Sequence, residues 1–395
     1  MFEDGKTAGR RPLEGIRVLD FSRVLAGPYC TALMADLGAE VIKVEPPAGD
    51  DYRHIGPFKD GESLLFQSVN RGKKSIVLDL KSEDGTAAAR ALAEECDVLV
   101  ENFRPGVMDR FGLGADTLCV ACPQLVYVSV SGFGQTGPNR MLPAYDVIIQ
   151  AMSGLMDMTG AEDGPPMMAG DAFADVAGGM FAAFGAMVAL FDRERSGRGQ
   201  HVDLALYDSL VSMMPVAACR ALMAGETPKR TGSKHALSAP FGTYSAADGS
   251  FTVAVLNDRM FARFAEAIGT PELAEDPRFL SDALRRQNEP ALAQHIERWA
   301  AARSAQNAVA VLSEARIPTA TLCSVSEAWG STQAQARGLA SVVEHPILGT
   351  VTVPEQPVHF SGAPRGGRQS APALGAHTQD ILQQLRQNRE SPDEH

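Results

Sequence analysis

The sequence predicts an α/β protein: a doubly wound parallel sheet accompanied by a smaller α+β region. Three observations carry that expectation. Apolar strand-like runs alternate with helical segments from Ile16 to Val130, joined by short connections. The composition then shifts beyond Gly225, where this alternation gives way to a mixed region. Finally, 395 residues with 45% hydrophobic and 21% charged content suit two or three globular domains with a sizeable core.

Taken in order, a polar arm ends at Pro12. Ile16-Arg17-Val18-Leu19-Asp20-Phe21 reads as a strand, Gly27-Pro28 opens a helix from Tyr29 to Leu37, and Gly38 closes it. Glu40–Glu45 is a second strand, stopped by Pro46-Pro47. After a loop-rich stretch, Ser75–Leu80 is a strand, Ser82 an N-cap, and Gly85–Cys96 an amphipathic helix. Val98-Leu99-Val100 is a strand ending in Glu101-Asn102-Phe103-Arg104-Pro105-Gly106, with a short helix around Val107–Phe111. Leu125–Val130 is a strand that enters Gly132-Phe133-Gly134. Pro143–Met156 is helical, a central helix runs from about Asp175 to Arg195, Gln200–Ala205 is a strand and Tyr207–Met223 a long helix. Beyond Gly225, Phe251–Val255 is a strand. Met260–Ile268, Pro290–Ala302 and Ala305–Ala315 are helices, with a turn at Asp276–Phe279. Short strands around Val351-Thr352-Val353 and an amphipathic helix, Thr378–Gln387, complete the chain. The polar sequence after Asn388 is expected to fray.

A net charge of −12 argues against a nucleic-acid partner, which would require a basic surface. It leaves room for a local basic pocket. Of six scattered cysteines, Cys119 and Cys122 form a lone C-x-x-C with no second pair or His cluster at zinc spacing, so no metal site is expected. The polar start is unlike a secretory signal, and no apolar run reaches the ~20 residues of a membrane helix. A reduced, cytoplasmic protein without a membrane partner is expected.

Four candidate motifs carry chemistry. Gly132-Phe133-Gly134-Gln135-Thr136-Gly137 has the spacing of a dinucleotide fingerprint, but Pro138 and Pro143 follow where that motif needs a helix, so a glycine-rich turn is expected. Arg23, Lys81, Arg104 and Arg110 follow strand ends, the edge where open α/β sheets hold ligands. Such cations suit a polyanion such as a phosphorylated nucleotide, or are simply solvated charges. Tyr145-Asp146 begins a helix, as a core Tyr with a helix cap or as a phenol that donates to a substrate oxygen. Asp171 and Asp175 stand at the mouth of a helix rich in Ala, Gly and Met. They read as an N-cap with first-turn charge, or as two carboxylates brought to one face by their i, i+4 spacing.

Six segments in order carry a resemblance. They are Asp20–Pro28, Gly38–Glu45, Glu101–Gly106, Pro143–Asp146, Ala174–Gly179 and Gly199–Asp203. Together the sequence resembles the class III coenzyme A transferases, which include formyl-CoA transferase and carnitine CoA-transferase, with α-methylacyl-CoA racemase as a sister branch. The resemblance implies a Rossmann-like large domain made from both chain ends, residues 1–224 and 330–395, and a small α+β domain, 225–329. It also implies an interlocked homodimer. It assigns the nucleophile to Asp175, an active-site role to Tyr145, and CoA contacts to Arg23, Ala26, Leu78, Lys81, Asn102, Phe103 and Arg110; Arg104 joins them from the cation cluster. Tyr145, Gly232 and His235 are substrate or oxyanion candidates, the last two in a covering loop, Thr231–His235. The N–H groups at the helix mouth are further oxyanion donors, and Gly178 and Gly179 permit close approach of a backbone or an acyl group.

The implied activity is transfer of CoA from an acyl-CoA, such as succinyl-CoA, to a small carboxylic or dicarboxylic acid. The acyl-CoA is the substrate and no cofactor is permanently bound. The sequence departs from its relatives at four points. The racemase branch has His where this chain has Tyr145, which disfavours two-base proton transfer. Formyl-CoA transferase has Gln at Leu25 and a glycine run in its loop, and an Arg common in the family is Pro46 here. A 2-methylacyl-CoA epimerase is the alternative enzyme, and a non-catalytic CoA- or NAD-binding module the alternative outside catalysis.

Overall fold

The computed structural model describes residues 9–364 and 369–390. The first eight residues of the expected polar arm and the last five of the polar tail lie outside the described residues. The chain divides into two compact units. The first takes residues up to Leu155, Met168–Glu226 and the chain from Thr332 onward; the second takes Met156–Met167 and Thr227–Ser331.

The first unit is built on six parallel strands: β1 (Arg17–Asp20), β2 (Glu40–Glu45), β3 (Lys74–Val77), β4 (Val98–Glu101), β5 (Val126–Ser131) and β6 (His201–Ala205). Their order across the sheet is β3-β2-β1-β4-β5-β6, every pairing parallel. The order reverses between β1 and β4, which opens a crevice at the carboxyl ends of these two strands. Short strands with continuous apolar runs produce this layering, because alternate residues serve opposite faces. Val18, Val98, Val100, Val126 and Val128 pack into one core, with helices α1 (Ala26–Asp36), α4 (Phe173–Ser196) and α5 (Leu206–Ser212). Leu19, Leu99, Leu125 and Tyr127 pack into the other, with α2 (Glu83–Glu94) and the terminal helix Thr378–Glu390. A further helix, α3 (Asp146–Ser153), joins the first core through Ile149. The edge of β3 is covered by the end of the chain: Ser75 donates to His377 Nδ1 at 3.1 Å and Val77 N–H to Thr378 Oγ1 at 3.0 Å.

Several element boundaries depart from the sequence expectation. The strand expected over Ser75–Leu80 ends at Val77, because Leu78 onward turns over the crevice. The expected helix Tyr207–Met223 stops at Ser212 and resumes at Pro215, whose ring nitrogen has no hydrogen to continue the ladder. The helix expected from Pro143 begins at Asp146. The reading that no apolar run is long enough to span a membrane also needs correction. Among the described residues, Phe173–Ser196 has that length and apolarity. Its many Ala and Gly residues let α4 lie against α1, α5 and β5.

The second unit carries an antiparallel sheet ordered Thr319–Thr321, Gly249–Ala254, Phe241–Ala246. Helices Asp258–Ala267, Glu289–Ala300 and Ala305–Glu314 close over it around Phe251, Phe261, Phe264, Phe279 and Ile296.

Candidate active site

Every strand of the parallel sheet delivers residues from its carboxyl end to one cavity of about 650 Å³. Phe21–Ala26 come from the end of β1, Pro46 from β2, Leu78–Lys81 from β3, Asn102–Pro105 from β4, Ser131 and Gly132 from β5, and Leu206 from β6. Arg140, Leu142, Pro143, Ala144 and Tyr145 form a further wall, and Asp175 of α4 also lines the cavity.

The turn after β1 is rigidly held. Val24 sits at φ 68°, a left-handed conformation costly for a β-branched residue. Its N–H donates to Asp50 Oδ1 at 3.0 Å, and Asp50 is in turn ion-paired to the buried Lys43 at 2.8 Å. Lys43 also donates to Ser22 O at 2.7 Å. Asn102 clamps the same turn from β4: its Oδ1 accepts from Arg23 N–H at 2.8 Å and its Nδ2 donates to Arg23 O at 2.7 Å. The Arg23 guanidinium then lies 4.9 Å from the centre of the Phe103 ring. Beneath this loop Glu101 is buried and accepts from Phe103 N–H at 2.8 Å; burial pushes its carboxyl up to about 7, against the hydrogen bonds from Ser129 and Phe103.

Asp175 is largely enclosed in the first turn of α4. Burial, and behind it the negative charge of Asp146, pushes its carboxyl up to about 7. The expected N-cap is not the observed one. Asp171 lies outside the helix and its Oδ1 accepts from the adjacent Ala172 N–H, at 2.7 Å. The helix mouth is capped by Asp146 from α3, whose Oδ1 accepts from Ala174 N–H at 2.7 Å and Asp175 N–H at 3.3 Å. Those two N–H groups are therefore occupied and are not free for an oxyanion, which corrects the expectation for the helix mouth. Gly178 and Gly179 admit the protein's own atoms. A Cβ at Gly178 would lie 2.2 Å from Leu206 Cδ2, and one at Gly179 would lie 2.6 Å from Ala26 O.

A second cavity, of about 300 Å³, shares Leu25 with the first and meets Ala172, just before α4, and Val176 in its first turn. Tyr29, Tyr52, Ser68 and Arg71 supply polar atoms to its lining, and Arg71 is paired with Asp36 at 2.5 Å. Tyr52 is pushed up to about 12 by burial and by the carboxylates of Asp175, Asp50, Asp171 and Asp146.

The structure thus gathers Arg23, Ala26, Leu78, Lys81, Asn102, Phe103, Arg104, Tyr145 and Asp175 around one cavity. Arg110 is exposed and outside that lining. Tyr145 is 72% exposed at the start of α3. Gly232 and His235 belong to the second unit, where His235 stacks on Phe241 at 4.6 Å and neighbouring Lys234 pairs with Glu289 at 3.1 Å. The segment Gly132–Gly137 is a turn, pinned where Asp203 accepts Gln135 N–H at 3.0 Å. Sequence reasoning missed Tyr52, Arg140 and Gln150. The Gln150 signal was legible in principle, since it follows Asp146 by one helical turn.

The model of CoA-transferase family III matches residues 13–378. An acetyl-CoA:oxalate CoA-transferase of Acetobacter aceti is 41% identical over 92% of this chain and 92% of its own. A succinyl-CoA:glutarate CoA-transferase of Mus musculus is 38% identical over 95% of this chain and 86% of its own. The crystal structure of a CAIB/BAIF family protein from Brucella suis is similar, with a TM-score of 0.84, 36% identity, and coverage of 95% of this chain and all of that one.

Proposed function

The chain belongs to CoA-transferase family III and is a CoA-transferase, and from that premise we propose that it moves CoA from an acyl-CoA such as succinyl-CoA to a small dicarboxylic acid, with Asp175 as nucleophile. One observation carries the residue assignment: Asp175 is the carboxylate of α4 that faces the cavity at the carboxyl ends of the strands. The chemistry needs a carboxylate there. Its oxygen attacks the acyl carbonyl, the C–S bond breaks, and the electron pair leaves on the CoA thiolate. The thiolate attacks the aspartyl carbonyl of the mixed anhydride, which releases the donor acid and forms an aspartyl-CoA thioester. The acceptor carboxylate reverses both steps. Thioester energy is conserved throughout, so the exchange is nearly thermoneutral.

The cavity supports this reading by its size and its charge. Arg23, Lys81 and Arg104 offer cations to the phosphates, Ala26, Leu78 and Phe103 an apolar floor, and Asn102 fixes the Arg23 turn. Arg110 stands with them by resemblance alone. Tyr145 is the oxyanion donor candidate at the cavity; Gly232 and His235 are candidates by resemblance alone. The proposal includes a Rossmann-like large domain joined from both chain ends, residues 1–224 and 330–395 apart from the stretch Met156–Met167 that groups with the second unit, and a small domain, 225–329. It also includes an interlocked homodimer, and cytoplasmic residence, for which the six free cysteines speak.

The deciding test is intact-protein mass after incubation with succinyl-CoA and trapping with hydroxylamine or borohydride. An aspartyl modification confined to the native protein, absent in Asp175→Asn, is expected. No adduct with several acyl-CoAs, together with deuterium wash-in at the α-carbon, would overturn the reading in favour of an epimerase.

A further inference from the structure

The carboxylate of Asp146 has a role that capping alone does not exhaust. It occupies the positive end of a 24-residue helix at two N–H groups, a place well suited to an anion. It is held there by Gln150, which is fully buried. Gln150 Nε2 donates to Asp146 Oδ2 at 2.6 Å and to Asp171 O at 3.1 Å, and its Oε1 accepts from Ala169 N–H at 2.9 Å. One amide therefore ties α3, the segment before α4 and the anion into a single unit. Asp175 follows directly, its own N–H bonded to the same oxygen at 3.3 Å.

We infer that Asp146 is a positioning residue that keeps the mouth of α4 negatively charged, so that acylation of Asp175 relieves a like-charge contact and the covalent intermediate is favoured. The inference rests on Asp175 being the nucleophile. In the resting site Asp146 accepts from the backbone N–H of Asp175 itself, and its negative charge acts on the largely enclosed Asp175 carboxylate. When Asp175 becomes the aspartyl-CoA thioester, its charge departs with the released donor carboxylate, and Asp146 no longer faces a like charge on Asp175. The repulsion is present before the reaction and absent after it. Tyr52 and Asp171 also face this first turn; a neutral phenol and an exposed carboxylate leave Asp146 as the dominant charge.

The test compares Asp146→Asn with Gln150→Met. Asn keeps an oxygen for both N–H groups but removes the charge; Met removes the Gln150 link but keeps the charge. At pH 8.5, with a fixed ratio of succinyl-CoA to succinate, the proportion of trapped aspartyl adduct to free enzyme is measured by mass. In Asp146→Asn this ratio is expected to fall about tenfold, and the acidic limb of kcat/KM to move down by about one pH unit. Gln150→Met keeps the charge but loosens its hold on the helix mouth, so it is expected to lower kcat/KM while the acidic limb stays near its native position. An unchanged ratio and limb in Asp146→Asn would overturn the inference, as would equal changes in both variants, which signify packing alone. Asp175→Asn is run alongside. Persistence of exchange in that variant would refute the nucleophile assignment itself, a result distinct from either outcome for Asp146.

Discussion

Asn102 shows how one side chain can prepare a binding surface without touching the reaction. Its two hydrogen bonds to the Arg23 backbone hold the turn that lines the cavity. Asn102→Ala is expected to cost about 1–2 kcal/mol of stability and to raise KM for the acyl-CoA about tenfold, with kcat within about twofold. Steady-state kinetics and denaturant unfolding check both. Asp175 makes the opposite contribution. Its folded value of about 7 stands above the ordinary 3.8, so the folded state binds the extra proton between these two values. Stability at this residue is therefore greatest near pH 4, declines as pH rises toward 7, and stays low above it. Asp175→Asn should accordingly stabilise the protein by on the order of 2 kcal/mol at pH 8 and by little at pH 4. Equal Tm shifts at the two pH values would contradict this account. The placing of Asp175, Arg23, Lys81 and Arg104 at one cavity was legible in the sequence because residue type and order reveal it, whereas Arg110 falls outside that lining. Asp146 as the cap of another helix was not, because its partners lie 28 and 29 positions away and only the packing of α3 on α4 brings them together.

At the scale of elements, α4 is the axis of the site because its small residues let other elements come close. The carbonyl of Ala26 approaches Gly179 so closely that an added Cβ would lie 2.6 Å away, and Ala26 itself lines the cavity. Gly179→Ala is expected to push α1 from α4, costing about 1–3 kcal/mol and lowering kcat/KM through displacement of the Arg23 turn. Thermal unfolding with parallel kinetics measures it. The helix–strand alternation that built the sheet was readable because period-2 and period-3.6 patterns differ over four or more residues. Helix termini were less so. Phe173 opens α4 two residues before Asp175, and Pro215 divides a run whose apolar pattern continues through it. Phe241–Ala246 was overlooked as a strand because Gly, Thr and Ser interrupt its alternation; pairing with Gly249–Ala254 supplies what propensity does not.

At the scale of the whole molecule, α4 presents a stripe that the described residues leave uncovered. Met180, Phe184, Val188 and Phe191 are all exposed at helical spacing, with Phe184 66% and Phe191 61% accessible. Leu222 and Met223, beyond α5, are more exposed still. Scattered surface apolar side chains are ordinary, but a stripe along three helical turns is the kind of surface that a second copy covers. An interlocked dimer makes a stronger demand than an apposed one. Chains threaded through one another cannot separate without unfolding, so exchange between dimers must be limited by the global unfolding rate. On the proposed interlock, two differently tagged preparations mixed under native conditions are therefore expected to yield no mixed dimer over hours. The same preparations, unfolded together and refolded, should give native and mixed species near the statistical 1:2:1 ratio. Native mass spectrometry distinguishes the masses directly. Rapid mixing without denaturant would remove the interlock while leaving a dimer, whereas a single-chain mass at micromolar concentration would remove both. Phe184→Glu separates these further: on an apposed interface it should produce monomers, but in threaded chains it should lower the yield of refolding while the survivors remain dimeric.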